Sequence, residues 1–206
     1  TAATLATVRW DALRYPVILK PTYEDYSRGI LQSSVCRAAI EAQERVRVLL
    51  QKFDSLVVEE FVFGSDVVVA YLEGAGDGVL PPCEVVYPDE SGIKHRDLVK
   101  GNGSGLELRC PAALPDALQN LLKTYVRRLA RALGLRDFAQ FDFRVSTDGV
   151  PFLLEVNGLP SLRPGSPLFV AADRRGLAAV DVVGKICEAA ARRKRAMAPA
   201  APASKE

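Results

Sequence analysis

Residues 138–157 read FAQFDFRVSTDGVPFLLEVN. Apolar and polar side chains alternate on both sides of Asp148-Gly149, a dipeptide that suits a two-residue hairpin turn because glycine accepts positive φ at little cost. This pattern constrains the fold most, because it requires an antiparallel strand pair with one face turned to a core. With the turn at Asp148-Gly149, Phe141 faces Val156, Phe143 faces Leu154 and Val145 faces Phe152, and that face is expected on the core. On the opposite face Asp142 faces Glu155 and Gln140 faces Asn157, with Arg144 beside Asp142.

Directly opposed residues of an antiparallel pair bring their Cβ atoms to roughly 4.5–5.5 Å. Two carboxylates at that spacing repel unless a proton or a cation is shared between them. A divalent metal resolves the conflict, and Asn157 supplies a neutral oxygen. Such hard ligands suit Mg²⁺, or Mn²⁺ in its place, which commonly keeps nucleotide phosphates as further ligands. The same residues also read as an exposed hairpin face that Arg144 neutralises. A slip of one residue in the register would separate the two carboxylates.

The rest of the chain supplies an α+β frame. YPVILK at 15–20 reads as a buried strand stopped by Pro21, and 22–29 as a polar loop ending in Gly29. Helical periodicity spans about 34–52 through Val35, Ala39, Val46, Leu49 and Leu50, with Ser33 or Ser34 as cap. Strand patterns follow at 55–62, 66–72 and around PPCEVVYP, and 101–105 is a glycine-rich loop with Lys100 at its entry. An amphipathic helix over about 115–133 carries Leu118, Leu121, Leu122, Val126, Leu129 and Leu133, and stops at Gly134. A last helix over about 176–194 turns Leu177, Val180, Val183, Ile186 and Cys187 inward. The Ala/Pro-rich stretch 195–206 reads as a disordered tail.

Composition excludes several classes of function. Twenty-seven basic residues face 25 acidic ones, a net charge of +2 that gives no general reason to expect nucleic acid or an anionic membrane. The run Arg192–Arg195 is basic, but a helix C-terminus favours cations through its dipole. No apolar run approaches the roughly 18–20 residues that span a bilayer, and the N-terminus does not read as a signal peptide. His95 is the one histidine, which argues against a Ser-His-Asp hydrolase or a polyhistidine metal site. The four cysteines have neither zinc-ribbon nor CxxC spacing and read as reduced thiols of a cytoplasmic protein.

The motif Glu155-Val156-Asn157-Gly158-Leu159-Pro160, with Asp142 on the partner strand, resembles the metal-binding segment of ATP-grasp enzymes of the D-alanine–D-alanine ligase type. The resemblance runs through about residues 15–190. It implies an α+β ATP-grasp fold in which two subdomains clasp ATP: a small lid at 1–64, incomplete at its start, and a larger subdomain at 65–194. By this resemblance Lys20 and Lys100 meet phosphates, and Glu24 and Ser27 belong to the phosphate-covering loop. Glu59, Glu60, Phe61 and Val62 form the adenine-holding linker, and Asp66 meets the ribose. Asp142, Glu155 and Asn157 hold the metal. The implied reaction is ATP-dependent joining of a carboxylate and an amine, amino-acid or peptide-like, through an acyl phosphate.

The sequence departs from that family in places. Where the family usually has an arginine two residues before the first metal carboxylate, this chain has Gln140, with Arg144 as a substitute on the same face. Asp25 and Tyr26 replace a small Gly-Ser pair. Ser166 is placed to meet a substrate carboxylate. The family also carries an N-terminal domain and an earlier strand that this sequence lacks, so a longer chain or a partner, a homodimer included, is expected to complete the site. These departures leave a second reading, a nucleotide-binding module without ligase activity.

Overall fold

The computed structural model describes residues 1, 3–24, 27–88, 93 and 106–197. The chain divides into two compact units: Thr1–Ser65 with Val86–Glu107, and Asp66–Val85 with Leu108–Glu206.

In the first unit, β1 (Val17–Pro21) lies between β2 (Val35–Cys36) and β3 (Leu56–Glu60) in an antiparallel sheet. Val17 and Leu19 of β1, Cys36 of β2 and Ala42, Val46 and Leu49 of α1 (Ala39–Leu50) form its core. The helix begins later than periodicity predicts. Val35 belongs to a strand that pairs with Ile18, and Ser34 closes a short 3-10 turn in which Leu31 N–H donates to its hydroxyl. The first turn of α1 has no side-chain cap at Ala38, and Glu41 instead accepts from the backbone N–H of Arg37. Gly29 sits at φ +83°, and a Cβ there would lie 2.5 Å from Pro21 Cγ and 2.9 Å from the Phe53 ring. Only glycine fits at position 29 so close to β1 and Phe53.

The second unit is built on β4 (Gly64–Leu72), β5 (Cys83–Val86), β6 (Glu107–Arg109), β7 (Phe138–Ser146) and β8 (Pro151–Asn157), in the order β6-β5-β4-β7-β8. One face packs Val67, Val69, Ala139, Phe141, Phe143 and Val145 against Leu122, Val126 and Ala130 of α2 (Asp116–Ala132). The α2 stripe is narrower than predicted: Leu121 and Leu133 are exposed, because the buried seam advances by four residues along 122, 126 and 130. Gly134 at φ +62° ends the helix as expected, with Leu135 N–H returning to Ala130 O.

Part of the other face is covered by α3 (Pro167–Asp173) and α4 (Ala179–Met197), which pack Leu168, Ala171, Ala172 and Val182 on Ala70, Leu72, Leu80 and Cys83. Here the sequence reading fails in rotation. Val180, Val183 and Cys187 are exposed, while Leu177 and Ile186 turn inward as read and are joined by Val182 and Ala189. The bidentate pair of Arg193 with Asp137, 2.8 Å for each bond, lies on that same buried seam and fixes the rotation. Helix α4 runs to Met197, so residues 195–197 are helical rather than tail; 198–206 lie outside the described residues. Lys100, the 101–105 loop and His95 also lie outside them.

The β7–β8 hairpin differs from its predicted turn and from the predicted partners of Phe143 and Val145, and keeps the predicted pairing from Asp142 back to Gln140. Ser146 and Val150 close a three-residue loop, Thr147–Gly149, with Gly149 at φ +79°. This shifts the strands by one residue: Val145 pairs with Pro151, Arg144 with Phe152 and Phe143 with Leu153. A bulge then takes up Leu154, after which Asp142 pairs with Glu155, Phe141 with Val156 and Gln140 with Asn157.

Candidate active site

The face of the second sheet that α3 and α4 leave uncovered is polar. It carries Asp66 from β4, Gln140, Asp142 and Arg144 from β7, and Glu155 and Asn157 from β8. The side chains at 140, 142 and 144 share it because strand residues alternate, while Phe141, Phe143 and Val145 are at most 3% exposed on the opposite side. That buried row holds β7 in place, and Asp142 and Glu155 stand directly across from each other.

Neighbours position most of the polar groups on this face. Gln140 Nε2 donates to Asp142 Oδ1 at 2.8 Å. Asn157 Oδ1 accepts from Leu159 N–H at 2.9 Å, which fixes the amide while leaving its oxygen a second lone pair. Arg144 Nη1 donates to Asp66 Oδ1 at 2.8 Å, and the arginine side chain is 7% exposed. Asp66 is expected at a ribose and Arg144 as the substitute for the arginine that Gln140 replaces; the fold pairs the two. Glu155 is exposed at the sheet edge. Among the described residues this face counts three carboxylates and one guanidinium, a surplus of negative charge beside an amide oxygen.

These donors fit a hard divalent cation. Two carboxylates in register and a neutral oxygen two residues on offer oxygen ligands from one side and leave the remaining positions to water or phosphate. Among the described residues no group of three or more His, Cys, Asp or Glu side chains is gathered in one place to hold a metal ion, here or elsewhere, so the oxygen set here is two carboxylates and one amide.

Ser166 precedes α3 without capping it, and its buried Oγ has no hydrogen-bond partner among the described residues. The hydroxyl expected to meet a substrate carboxylate is therefore turned into the protein.

In the first unit Lys20 Nζ is bonded to Glu59 Oε2, the two lying diagonally across β1 and β3 on one sheet face. Glu60 pairs with Arg14 at 2.7 Å. The strand ends at Glu60, though Phe61 N–H still donates to Pro16 O at 2.8 Å in the same register, and residues 61–63 connect β3 to β4. The Phe61 ring packs edge-to-face on Phe63, with centroids 5.2 Å apart. Glu24 pairs with Arg28 at 2.9 Å, and Ser27 takes positive φ, 55°, as Ile30 N–H returns to its carbonyl. Asp25 and Tyr26 lie outside the described residues. The sequence reading overlooked Arg14 and Arg28; only the i,i+4 spacing of Glu24 and Arg28 signalled either of them.

A family model described as "D-ala D-ala ligase C-terminus" matches residues 3–188. A Sinorhizobium fredii protein described as "Uncharacterized protein y4sG" is 31% identical over 189 residues, 89% of this chain and 54% of that one. A D-alanine–D-alanine ligase of Maridesulfovibrio salexigens is 30% identical over 183 residues, 89% of this chain and 58% of the relative. The chain thus spans a little over half the length of these curated relatives. The crystal structure of a Bacillus anthracis D-alanine–D-alanine ligase complexed with ATP superposes with a TM-score of 0.71 at 19% identity, covering 92% of this chain and 57% of that one. At that identity the likeness establishes the shared fold.

Proposed function

This chain belongs to the D-ala D-ala ligase C-terminal family, and from that membership we propose that it carries out the ATP chemistry of a carboxylate–amine ligase. The observation that carries the reading is Asp142 in register with Glu155, with Asn157 beside them. In the proposed reaction a substrate carboxylate oxygen attacks the γ-phosphorus of ATP, and the bond to ADP breaks. The amine of the second substrate then attacks the acyl carbon. Phosphate leaves, the amine gives up a proton and an amide forms. The substrates are small amino-acid or peptide-like molecules.

Asp142, Glu155 and Asn157 would hold Mg²⁺, or Mn²⁺ in its place, whose charge offsets that of the phosphates during transfer. Lys20 would exchange its bond to Glu59 for a phosphate oxygen, freeing Glu59 to accept from the exocyclic amine of adenine. Backbone groups of Glu60 and Val62 would serve the remaining adenine edge, with Phe61 against the ring. Glu24 and Ser27 would lie in the loop over the phosphates, with Lys100 as a second phosphate lysine. Asp66 reaches a ribose hydroxyl only by sharing its carboxylate with Arg144. Gln140 supplies a neutral donor near the acyl centre, and Ser166 takes part only if its hydroxyl turns outward.

No helix among the described residues is long and apolar enough to cross a membrane. All four cysteines are free thiols, which suits the cytoplasm, where ATP is abundant and thiols stay reduced. We place the protein there, acting without nucleic acid, and assign binding of the first substrate to the part of the longer relatives that lies outside this match, or to a second copy.

Calorimetric titration with ATP, with and without Mg²⁺, tests the reading. Binding should require Mg²⁺ and vanish in the double variant Asp142→Ala, Glu155→Ala. Unchanged binding by the double variant would remove the hairpin from the site.

A further inference from the structure

The hydrogen bond from Gln140 to Asp142 has no structural task that the strand does not already perform. Residues 140 and 142 lie two apart on one strand face, and β7 is held by its pairing with β8 and by the buried ring of Phe141 between them. The 2.8 Å bond acts on the carboxylate alone. It fixes the Asp142 torsions and engages Oδ1 from the side of residue 140.

We infer that Gln140 is a positioning residue for a divalent cation at Asp142: its amide orients the carboxylate toward the space it shares with Glu155. This rests on the metal-site reading above and extends it to a neighbour that touches neither cation nor nucleotide. A free aspartate loses side-chain rotamers when it ligates a metal, whereas one held by an amide has already lost them. A neutral donor does this without placing a positive charge beside the cation. Glu155 is exposed and sits at the sheet edge, so preorganisation of the pair falls mainly to Asp142. Outer partners of ligating carboxylates typically change metal affinity about 10–100-fold when removed.

The experiment titrates Mn²⁺ into the whole chain and follows the free ion by electron paramagnetic resonance. The variants are Gln140→Met, which keeps shape without a donor, Gln140→Ala, and Asp142→Ala with Glu155→Ala. Thermal unfolding is followed in parallel. The inference expects Mn²⁺ affinity to fall about tenfold or more in both Gln140 variants, with the melting temperature of Gln140→Met unchanged. Wild-type affinity in Gln140→Met overturns it while leaving the metal site standing. Equal loss of affinity and of thermal stability also overturns it, because the amide would then be holding the strand. If the Asp142, Glu155 double variant binds Mn²⁺ like the wild type, the metal-site reading itself falls and this inference with it.

Discussion

Truncating one aromatic from each strand of the hairpin separates the observed register from the one the turn dipeptide suggests. In the suggested register Phe141 and Phe152 both face the core, and their loss should cost about the same. In the structure Phe141 is fully buried under α2, whereas Phe152 lies opposite Arg144 on the other face and is 44% exposed. Phe141→Ala forfeits the transfer of a whole phenyl ring and leaves a cavity, about 3–5 kcal/mol together. Phe152→Ala forfeits roughly half a transfer term and opens no closed cavity, about 1 kcal/mol. With a urea slope of about 2 kcal/mol per molar, the midpoint falls by about 1.5–2.5 M for Phe141→Ala and about 0.5 M for Phe152→Ala. The assay is urea unfolding followed by far-UV circular dichroism, because Trp10, the one tryptophan, lies in the first unit and would not report on the second. Equal midpoint shifts for the two variants would refute the bulged register.

Two further outcomes follow from particular contacts. Arg193→Ala removes the bidentate partner of Asp137, whose hydrogen bonds from Arg193 hold that carboxyl below its ordinary pKa. A depressed carboxylate pKa stabilises fully above the unfolded value near 3.9, and this is lost as pH falls through the folded value. The wild type should therefore lose more stability than the variant when unfolding midpoints are compared between about pH 6 and pH 2.5; parallel curves would contradict the assignment. Deleting Leu154, the exposed bulge residue, leaves Phe143 opposite Leu153 and Asp142 opposite Glu155. The deletion should cost less than about 1 kcal/mol and retain Mg²⁺-dependent ATP binding by calorimetry; loss of that binding would show that the bulge itself aims Glu155.

Legibility from sequence followed how strongly each local pattern was coupled to burial. Phe141, Phe143 and Val145 were readable as core because period-two alternation has one buried solution. The α2 helix was readable because its seam and its stop at Gly134 agree. The last helix carries apolar residues at 180, 183 and 187 as well as at 182 and 189, with Ile186 common to both faces, so periodicity alone admits two rotations. The pair of Arg193 with Asp137, 56 positions apart, decides between them. Val35 sits at helical spacing from Ala39, and only its partner Ile18 makes it a strand residue. Tertiary partners of this kind are invisible in a window of neighbouring residues.

The polar face was legible for a different reason: two errors of equal size and opposite direction met within it. The turn has three residues where the dipeptide suggested two, and the bulge at Leu154 absorbs the difference before the strand reaches Glu155. The stretch between turn and bulge was therefore misread, with Phe152 and Leu154 assigned to the core, while the stretch beyond it was read in register. A strand pair that must carry Phe141 on one side and Asp142 on the other can shift near its turn, where Pro151 and Phe152 have little to pack against. It cannot shift beneath α2, where moving by one residue would bury a carboxylate and expose a phenyl ring. The irregularity therefore collects at the exposed end of the hairpin. The carboxylate pair sits at the end whose register the core enforces.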